Sequence, residues 1–306
     1  MSDPIPLLLD TDIGTNIDDA LALAYLLVQR RCELLGITTV TGAPDERARL
    51  ADAVCRAAGR DDVPIHAGAN VPRVIEPEQI TVPLAGVLPR WPHRRVFPAE
   101  TAVDFLRETI RARPGEITLL AIGPLTNVAE LFERDPEIPR LLGRLVTMGG
   151  VFDGPDGDLG SPETNTRLDP HATDVVFRAG AAGHTCIGLN VTSRCRLSRD
   201  TCRQRLRGGV LDCIADMAEL WFAERDAITF HDPLAAACVF VPDLCRYAGG
   251  RVDVRLDHAV VEGVTEFRAA SDGPHAVAID VDVDRFFAHY FNETSPAATS
   301  PVWPTR

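Results

Sequence analysis

Segments that are apolar almost throughout alternate along the chain with segments whose apolar residues recur every three to four positions. The first kind includes "PLLL", "ELLGITTV" and "EITLLAI", and the second includes "DDALALAYLLVQRR" and "TAVDFLRETIRAR". A strand that is apolar on both faces must be covered on both faces, as in a parallel sheet between helices. The alternation therefore predicts an α/β fold in which an open, mainly parallel sheet is flanked by helices.

The chain is long enough for one large domain. It has 306 residues, of which 45% are hydrophobic, and neither a linker nor an internal repeat interrupts it. The region 199–246 has helical character, three strand-like runs follow it, and "DVDRFFAHYF" predicts a final helix. We expect a single domain over residues 1–293 and a flexible C-terminal tail over residues 294–306.

The charged residues exclude several classes of function. Lysine and arginine together number 31 against 44 acidic residues, a net charge of -13, so nothing general favours a nucleic-acid or membrane partner. The sequence contains no lysine, which excludes Schiff-base chemistry. The eight cysteines are scattered without metal-binding spacing, and we expect most of them to be reduced core residues. With no membrane-spanning run or signal-like start, we expect a soluble cytoplasmic protein.

Four aspartates crowd into "DTDIGTNIDD", residues 10–19, directly after the first strand-like run. Carboxylates this close repel one another unless a cation lies among them or they become protonated. Asp18 or Asp19 could instead cap the helix that follows. Capping needs one aspartate rather than four, so the loop predicts a site for a hard cation.

Two known acidic loops offer alternatives to this interpretation. An EF-hand would need ligands where this chain has Gly14 and Leu21. The segment "DTDIGT" also resembles the loop of haloacid-dehalogenase-like phosphatases, but those enzymes commonly require a lysine that this chain lacks. Neither known loop fits the sequence, so the prediction is a metal site of another kind.

Other polar clusters lie where ligands bind in open parallel sheets, namely in loops after strands. The loops are residues 10–19, 41–45, 123–127 and 149–169. In "SPETNTRLDP", Glu163 and Asn165 are two residues apart, which in an extended segment points both side chains the same way, as a polyol would require. In "FHDPLAA", Asp232 precedes a proline and is expected to cap a helix while it also reaches a cation.

The ordered set of motifs resembles the inosine-uridine-preferring nucleoside hydrolase family. The set comprises "DTDIGTNIDDALAL", "ITTVTG", "GPLTN", "VTMGG", "PETNTRLDP" and "HDPLA", and the resemblance covers roughly residues 5–290. It implies an open α/β fold, a bound Ca²⁺, hydrolysis of ribonucleosides to ribose and free base, and a homodimer or homotetramer.

The resemblance also implies roles for individual residues. Asp12 would contact both the metal and the attacking water as general base, and His231 would assist the leaving base. Further metal ligands would be Asp19, Asp232 and the backbone carbonyl of Thr126. The sugar would be bound by Asp18, Met148, Glu163 and Asn165. Asp10 would support the loop.

Three departures from the family pattern concern the site. The residues "TN" lengthen the acidic loop, Ala43 stands where a polar residue, often Asn, usually follows the glycine of "ITTVTG", and the segment 153–162 offers only Asp158 for the sugar 5′ contact. Base preference is left open, with Trp221, Phe222 and Phe230 as candidates for stacking on the base. Two alternatives therefore stand beside a ribonucleoside hydrolase: a hydrolase of another N-riboside, such as nicotinamide riboside or a modified nucleoside, and an inactive Ca²⁺- or ribose-binding relative.

Overall fold

The computed structural model describes residues 3–152, 161–257 and 262–295. The strands within these ranges are β1 (Ile5–Thr11), β2 (Cys32–Thr39), β3 (Ile65–Ala67), β4 (Thr118–Ala121), β5 (Arg144–Met148), β6 (His184–Ile187), β7 (Arg196–Ser198), β8 (Ala227–Thr229), β9 (Cys245–Val254), β10 (Thr265–Ala269) and β11 (His275–Val281). The helices are α1 (Asp18–Val28), α2 (Pro44–Ala57), α3 (Ala102–Ala112), α4 (Thr126–Arg134), α5 (Ile138–Leu141), α6 (Thr164–Leu168), α7 (Pro170–Arg178), α8 (Leu189–Thr192), α9 (Arg199–Arg205), α10 (Leu211–Trp221), α11 (His231–Phe240) and α12 (Val283–Thr294).

In the described part of the chain, nine strands form one sheet in the order β10-β9-β11-β6-β5-β4-β1-β2-β3. Every pair from β11 to β3 is parallel, and β9 pairs antiparallel with both β10 and β11. The predicted α/β class and the mainly parallel sheet are thus confirmed. The two remaining strands, β7 and β8, pair antiparallel outside the sheet.

Helices cover both faces of the sheet, as the apolar strands require. Along β1, Leu7 and Leu9 belong to one buried cluster and Leu8 to the other, so successive side chains enter opposite layers. The first layer contains α1, α11 and α12, and the second contains α4 and α7. Burial on both faces explains why the sequence of β1 lacks polar alternation.

The chain changes direction across the sheet at β1. It runs outward through β1, β2 and β3, then returns to place β4 on the other side of β1 and continues through β5 and β6. Ligands bind in open α/β sheets at such a switch point, outside the carboxyl ends of the strands. The loops after β1 and β4, residues 12–17 and 122–125, therefore form the centre of the expected binding edge.

Several smaller expectations can now be compared with the structure. The region 199–246 is helical only in part, because β8 and the first residues of β9 lie within it. The boundary of the expected tail falls inside α12, which ends at Thr294, and residues 296–306 lie outside the described residues. All eight cysteines are free, and seven of them are buried, as expected. In the described ranges, no helix combines the length and apolar character that crossing a bilayer requires.

Candidate active site

Three carboxylates from two distant parts of the chain meet at the carboxyl edge of the sheet. Asp18 and Asp19 begin α1, and Asp232 lies in the first turn of α11. Each offers an oxygen, and these oxygens lie within 4.8 Å of one another. All three side chains are buried, so the sequence prediction of a converging acidic group is supported by the geometry.

The pKa values of these three groups are raised, first because burial removes the carboxylates from water. Repulsion from Asp12 and Asp18 adds to the rise for Asp19, and repulsion from Asp18, Asp19, Asp12 and Glu163 adds to that of Asp232. For Asp18 the rise is opposed by His231 and by hydrogen bonds that include the backbone N–H of Asp232. A cation among these oxygens would remove the repulsion.

Asp18 and Asp19 do not cap α1, although both lie in its first turn, where a carboxylate favours the helix dipole. The N-cap residue is Ile17, and no side-chain hydrogen bond caps the helix. Asp19 instead accepts a hydrogen bond from the Thr11 hydroxyl at 2.5 Å, and the same hydroxyl accepts from the backbone N–H of Ile13 at 3.1 Å. Thr11 therefore orients Asp19 toward the cluster, a role that the sequence analysis missed.

Asp12 and Asp10 occupy different environments at the end of β1. The pKa of Asp12 is raised to about 6 by burial, with a smaller contribution from Asp18, while Arg47 and a side-chain hydrogen bond from Gln79 oppose the rise. The Asp10 Oδ1 atom accepts from the Thr38 hydroxyl at 2.5 Å and from Asn127 Nδ2 at 2.7 Å. Asp10 thus ties β1 to β2 and α4, consistent with its expected supporting role, whereas Asp12 repels the carboxylates of Asp19 and Asp232.

The helix α11 carries His231 and Asp232 into the site. Because α11 begins at His231, with Phe230 as its N-cap residue and no side-chain cap, the prediction that Asp232 caps this helix is wrong. The Asp232 carboxylate is therefore directed to the acidic group. The His231 ring is half-buried, and its Nδ1 atom lies 2.7 Å from the hydroxyl of Thr192 in α8, which leaves Nε2 as the nitrogen available to a substrate.

The predicted sugar-binding residues also reach this edge. Glu163 has the predicted extended backbone, but the prediction is wrong for Asn165, which is helical. Glu163 is the N-cap residue of α6, where its Oε2 accepts from the backbone N–H groups of Thr166 at 3.1 Å and Gly150 at 3.2 Å. Burial raises the pKa of Glu163 to about 7 despite these bonds. Asn165, inside α6, donates to the backbone carbonyl of Met148 at 3.2 Å.

The loop after β4 packs directly against Asp12. A Cβ atom on Gly123 would lie 2.9 Å from Oδ1 of Asp12, so only glycine fits there. Thr126 begins α4, is buried, and donates its hydroxyl to Asp169 at 2.7 Å. Asp169 also caps α7 by accepting from the Ala172 N–H at 2.9 Å. Metal binding by the Thr126 carbonyl stays a prediction.

The structure does not support the aromatic candidates for base stacking. Phe230 is fully buried and packs edge-on against four aromatic rings of α12, and Phe222 is a core residue beneath Arg199 and Arg203. Both rings are buried, so the structure does not present either of them to a base at the acidic group. Trp221 is half-buried and donates its indole N–H to the Ala227 carbonyl at 2.9 Å, and stacking by this ring stays a prediction. Asp158 lies outside the described residues.

Two residues near Asp12 escaped the sequence analysis. Gln79, in the loop 71–82, hydrogen-bonds Asp12, and its Oε1 atom is buried without a partner among the described residues. Arg47 is fully buried in α2 and contacts the acidic loop. The helical spacing could have identified Arg47, because Arg47, Leu50, Ala51 and Val54 form one buried stripe of α2. A charged side chain on such a stripe faces the protein interior rather than solvent.

The assembled site is a buried set of oxygen donors with a strong excess of negative charge. Hard cations such as Ca²⁺ take carboxylate and carbonyl oxygens as ligands, and three of the carboxylates converge with raised pKa values. The donor set therefore fits a divalent cation. His231 and Glu163 are close enough to influence Asp18 and Asp232, respectively, and Asn165 contacts Met148 at the end of β5, so groups that can bind a polar substrate lie at the same edge.

Comparisons with known proteins agree with this arrangement. The profile of the inosine-uridine preferring nucleoside hydrolases matches residues 7–288. Uridine nucleosidase 1 of Arabidopsis thaliana is 32% identical, over 91% of this chain and 89% of its own length. The pyrimidine-specific ribonucleoside hydrolase RihA of Citrobacter koseri is 29% identical, over 92% and 94%. The structure of a purine-preferring ribonucleoside hydrolase from Gardnerella vaginalis superposes with a TM-score of 0.82 at 27% identity, over 97% of this chain and 100% of that one.

Proposed function

The chain belongs to the inosine-uridine preferring nucleoside hydrolase family, whose named members are N-glycosyl hydrolases of ribonucleosides, and we propose that it performs this hydrolysis with a bound Ca²⁺ and Asp12 as general base. The observation that carries the proposal is the convergence of Asp18, Asp19 and Asp232, electrostatically coupled to Asp12. A nucleoside offers both a polyol for the surrounding donors and acceptors and a glycosidic bond beside them.

The metal would be held by Asp12, Asp19, Asp232 and the Thr126 carbonyl. A calcium ion bound there supplies a fixed positive charge that lowers the pKa of a neighbouring water. Asp12 lies at the end of β1 with Gly123 against its carboxylate, so its orientation is constrained before substrate arrives. In its ionised form Asp12 accepts the proton of the attacking water.

The remaining residues act on the ribose and on the departing base. Asp18 accepts a hydrogen bond from a ribose hydroxyl, while Glu163 and Asn165 bind the sugar from the other side of the cluster. Cleavage of the N-glycosidic bond builds positive charge on the ribose ring, which nearby carboxylates stabilise. His231, held at Nδ1 by Thr192, donates a proton from Nε2 to the leaving base.

The first experiment measures release of ribose and free base from uridine, cytidine, inosine, adenosine, guanosine and nicotinamide riboside. Uridine heads the panel because two relatives are named a uridine nucleosidase and a pyrimidine-specific ribonucleoside hydrolase. Each substrate is tested before and after metal stripping and after return of Ca²⁺. We expect ribose release that is lost on stripping and restored by Ca²⁺.

The same panel distinguishes the alternatives. Turnover of nicotinamide riboside alone would identify a hydrolase of another N-riboside. Binding of Ca²⁺ and ribose without turnover of any substrate would contradict the proposal and favour an inactive relative. A cytoplasmic location and a homodimeric or homotetrameric state stay predictions, and sedimentation analysis of the purified protein tests the latter.

A further inference from the structure

Arg47 is a fully buried arginine whose side chain lies against the acidic loop. Its Nε atom donates to the backbone carbonyls of Thr41 at 2.6 Å and Gly42 at 3.0 Å. Its Nη1 atom donates to the backbone carbonyls of Asp12 and, at 3.1 Å, of Ile13. A single guanidinium therefore joins the loop after β2 to the loop after β1.

The position of Arg47 in α2 explains how it reaches both loops. Side chains of a helix tilt toward its N-terminus, so a residue one turn into a helix covers the loop that precedes it. Arg47 is one turn beyond Ala43, whose carbonyl accepts the backbone N–H of Arg47 at 3.2 Å. Its guanidinium thus returns to the level of Thr41 and Gly42, beside the end of β1.

The contacts of Arg47 coincide with two of the three departures of this chain from its family's pattern. The acidic loop is lengthened by Thr15 and Asn16, and Nη1 of Arg47 also donates to the Thr15 hydroxyl at 3.1 Å. The polar residue usual after the glycine of "ITTVTG" is replaced by Ala43, which has a left-handed backbone with φ of 58°. Arg47 thus supplies hydrogen bonds within the same loop where a polar side chain is missing.

Arg47 also places a positive charge beside Asp12 and Asp19. Burial lowers its pKa, and the carboxylates of Asp12 and Asp19 oppose that change by favouring the charged form. A guanidinium is harder to deprotonate than any other side chain, and its planar fork can bridge several carbonyls at once. Arg47 therefore bridges two loops through Nε and Nη1, where a lysine would provide only a point charge, while its Nη2 atom is buried without a hydrogen-bond partner among the described residues.

We propose that Arg47 is a positioning residue that fixes the lengthened acidic loop, and with it the Asp12 carboxylate, in the geometry that metal binding and water activation require. This role rests on the function proposed above. Arg47 contacts the backbone of Asp12 rather than substrate or metal, so it acts through Asp12. Replacing a residue that orients a metal ligand typically lowers metal affinity or activity by about 10- to 100-fold.

Two substitutions separate the charge of Arg47 from its bridging geometry. Arg47→Lys keeps the charge but cannot place donors at both the Nε and the Nη1 positions, and Arg47→Met removes charge and donors together. Arg49→Met is the matched control, because Arg49 is on the same helix, and its Nε donates to the Arg95 carbonyl at 3.2 Å on the exposed side. Each variant is measured for kcat and KM on the best substrate, for Ca²⁺ affinity by calorimetry, and for Tm.

We expect both Arg47 variants to bind Ca²⁺ about 10- to 100-fold more weakly. At saturating Ca²⁺, kcat should fall about 100-fold, with a smaller change in KM. The reason is that a misplacement of a catalytic group by about 1 Å lowers the rate about 100-fold. Arg49→Met should match the wild type in all three measurements. If Arg47→Met fails to fold, Arg47→Lys alone decides, because it retains the buried charge and most of the volume.

Wild-type kcat and Ca²⁺ affinity in a folded Arg47→Lys variant would overturn the positioning role and leave only a buried charge. A lowered Tm with unchanged Ca²⁺ affinity and kcat would likewise reduce Arg47 to a structural residue. A wild-type protein that hydrolyses no nucleoside would contradict the proposed function instead. In that case the loss of Ca²⁺ affinity in Arg47→Lys, measured without turnover, still decides whether Arg47 positions the loop.

Discussion

Gly123→Ala tests directly whether the loop after β4 supports Asp12. A methyl group at this position would lie 2.8 Å from the backbone N of Asp12, 2.9 Å from its Oδ1 and 3.0 Å from a methyl of Val40. Ordinary van der Waals contact begins near 3.4 Å, so Asp12 must move by about 0.5 Å or more. Gly123 does not have a positive φ, and the substitution therefore adds crowding without backbone strain.

The displacement should reduce catalysis far more than stability. A misplacement of about 1 Å costs about 100-fold in rate, so we expect kcat to fall about 10- to 100-fold and Ca²⁺ affinity to weaken with it. Overpacking costs about 1–3 kcal/mol of unfolding free energy. With an unfolding entropy of about 2.1 cal/mol/K per residue, 2 kcal/mol lowers the Tm of a chain of this length by about 3 °C.

Gly143→Ala provides the control at the opposite edge of the sheet. Its added methyl would lie 2.7 Å from the Gly115 carbonyl oxygen, a comparable degree of crowding, but Gly143 precedes β5 at the amino end of the strands. We expect a similar loss of Tm with wild-type kcat and Ca²⁺ affinity. Equal kcat values for the two variants, measured with saturating Ca²⁺ and nucleoside, would refute the placement of Asp12 against this loop.

Three further predictions concern the leaving group and pH. His231→Ala should slow inosine hydrolysis about 10²- to 10⁴-fold but spare nitrophenyl riboside, whose leaving group needs no proton, and equal losses on both substrates would exclude the acid role. Burial and mutual repulsion raise the pKa values of Asp19 and Asp232, so the metal-free folded state binds more protons than the unfolded state and loses stability as pH rises. The Tm increase on adding Ca²⁺, equivalent to about 2.7 kcal/mol at 100 times Kd, should therefore grow from pH 5 to pH 8, and a constant increase would contradict this. Burial, aided by His275, lowers the pKa of His184 from 6.5 to about 3. As the pH drops below 6.5, the unfolded state therefore takes up the proton first, and the free energy of unfolding falls by up to about 1.4 kcal/mol per pH unit. His184→Gln should flatten that slope in urea denaturation between pH 4 and pH 7, and an unchanged slope would assign it to other groups.

Much of the fold and the acidic group could be predicted because each rests on a local pattern with a topological consequence. Strands without polar alternation require a covered parallel sheet, and the carboxyl ends of such strands meet at one edge. The acidic loop itself predicted a cation site because its carboxylates would otherwise repel one another, and Asp232 was expected to reach that cation. The convergence within 4.8 Å joins Asp19 and Asp232, two predicted metal ligands, with Asp18, which was predicted as a sugar contact.

The failures concern choices that tertiary contacts decide. Glu163 is an uncommon N-cap residue, and its helix forms because the buried carboxylate can accept from two backbone N–H groups at once. Asp232 resembled a cap before Pro233, but α11 begins at His231, two residues before the start that such a cap implies. Phe230 neighbours the site in sequence and yet packs into the aromatic face of α12, which no local pattern around residue 230 encodes.

Under the proposed function, the excess of negative charge in the site affects catalysis. Asp12, Asp18, Asp19, Asp232 and Glu163 supply five carboxylates, against which Arg47 supplies one buried guanidinium. A divalent cation would still leave the ionised cluster with net negative charge. A neutral nucleoside gains little from this excess in the ground state, whereas the ribose ring becomes positive as the glycosidic bond breaks. The residual negative charge therefore stabilises the transition state more than the substrate, which is the condition for raising kcat. Burying these carboxylates in an otherwise apolar sheet costs folding free energy.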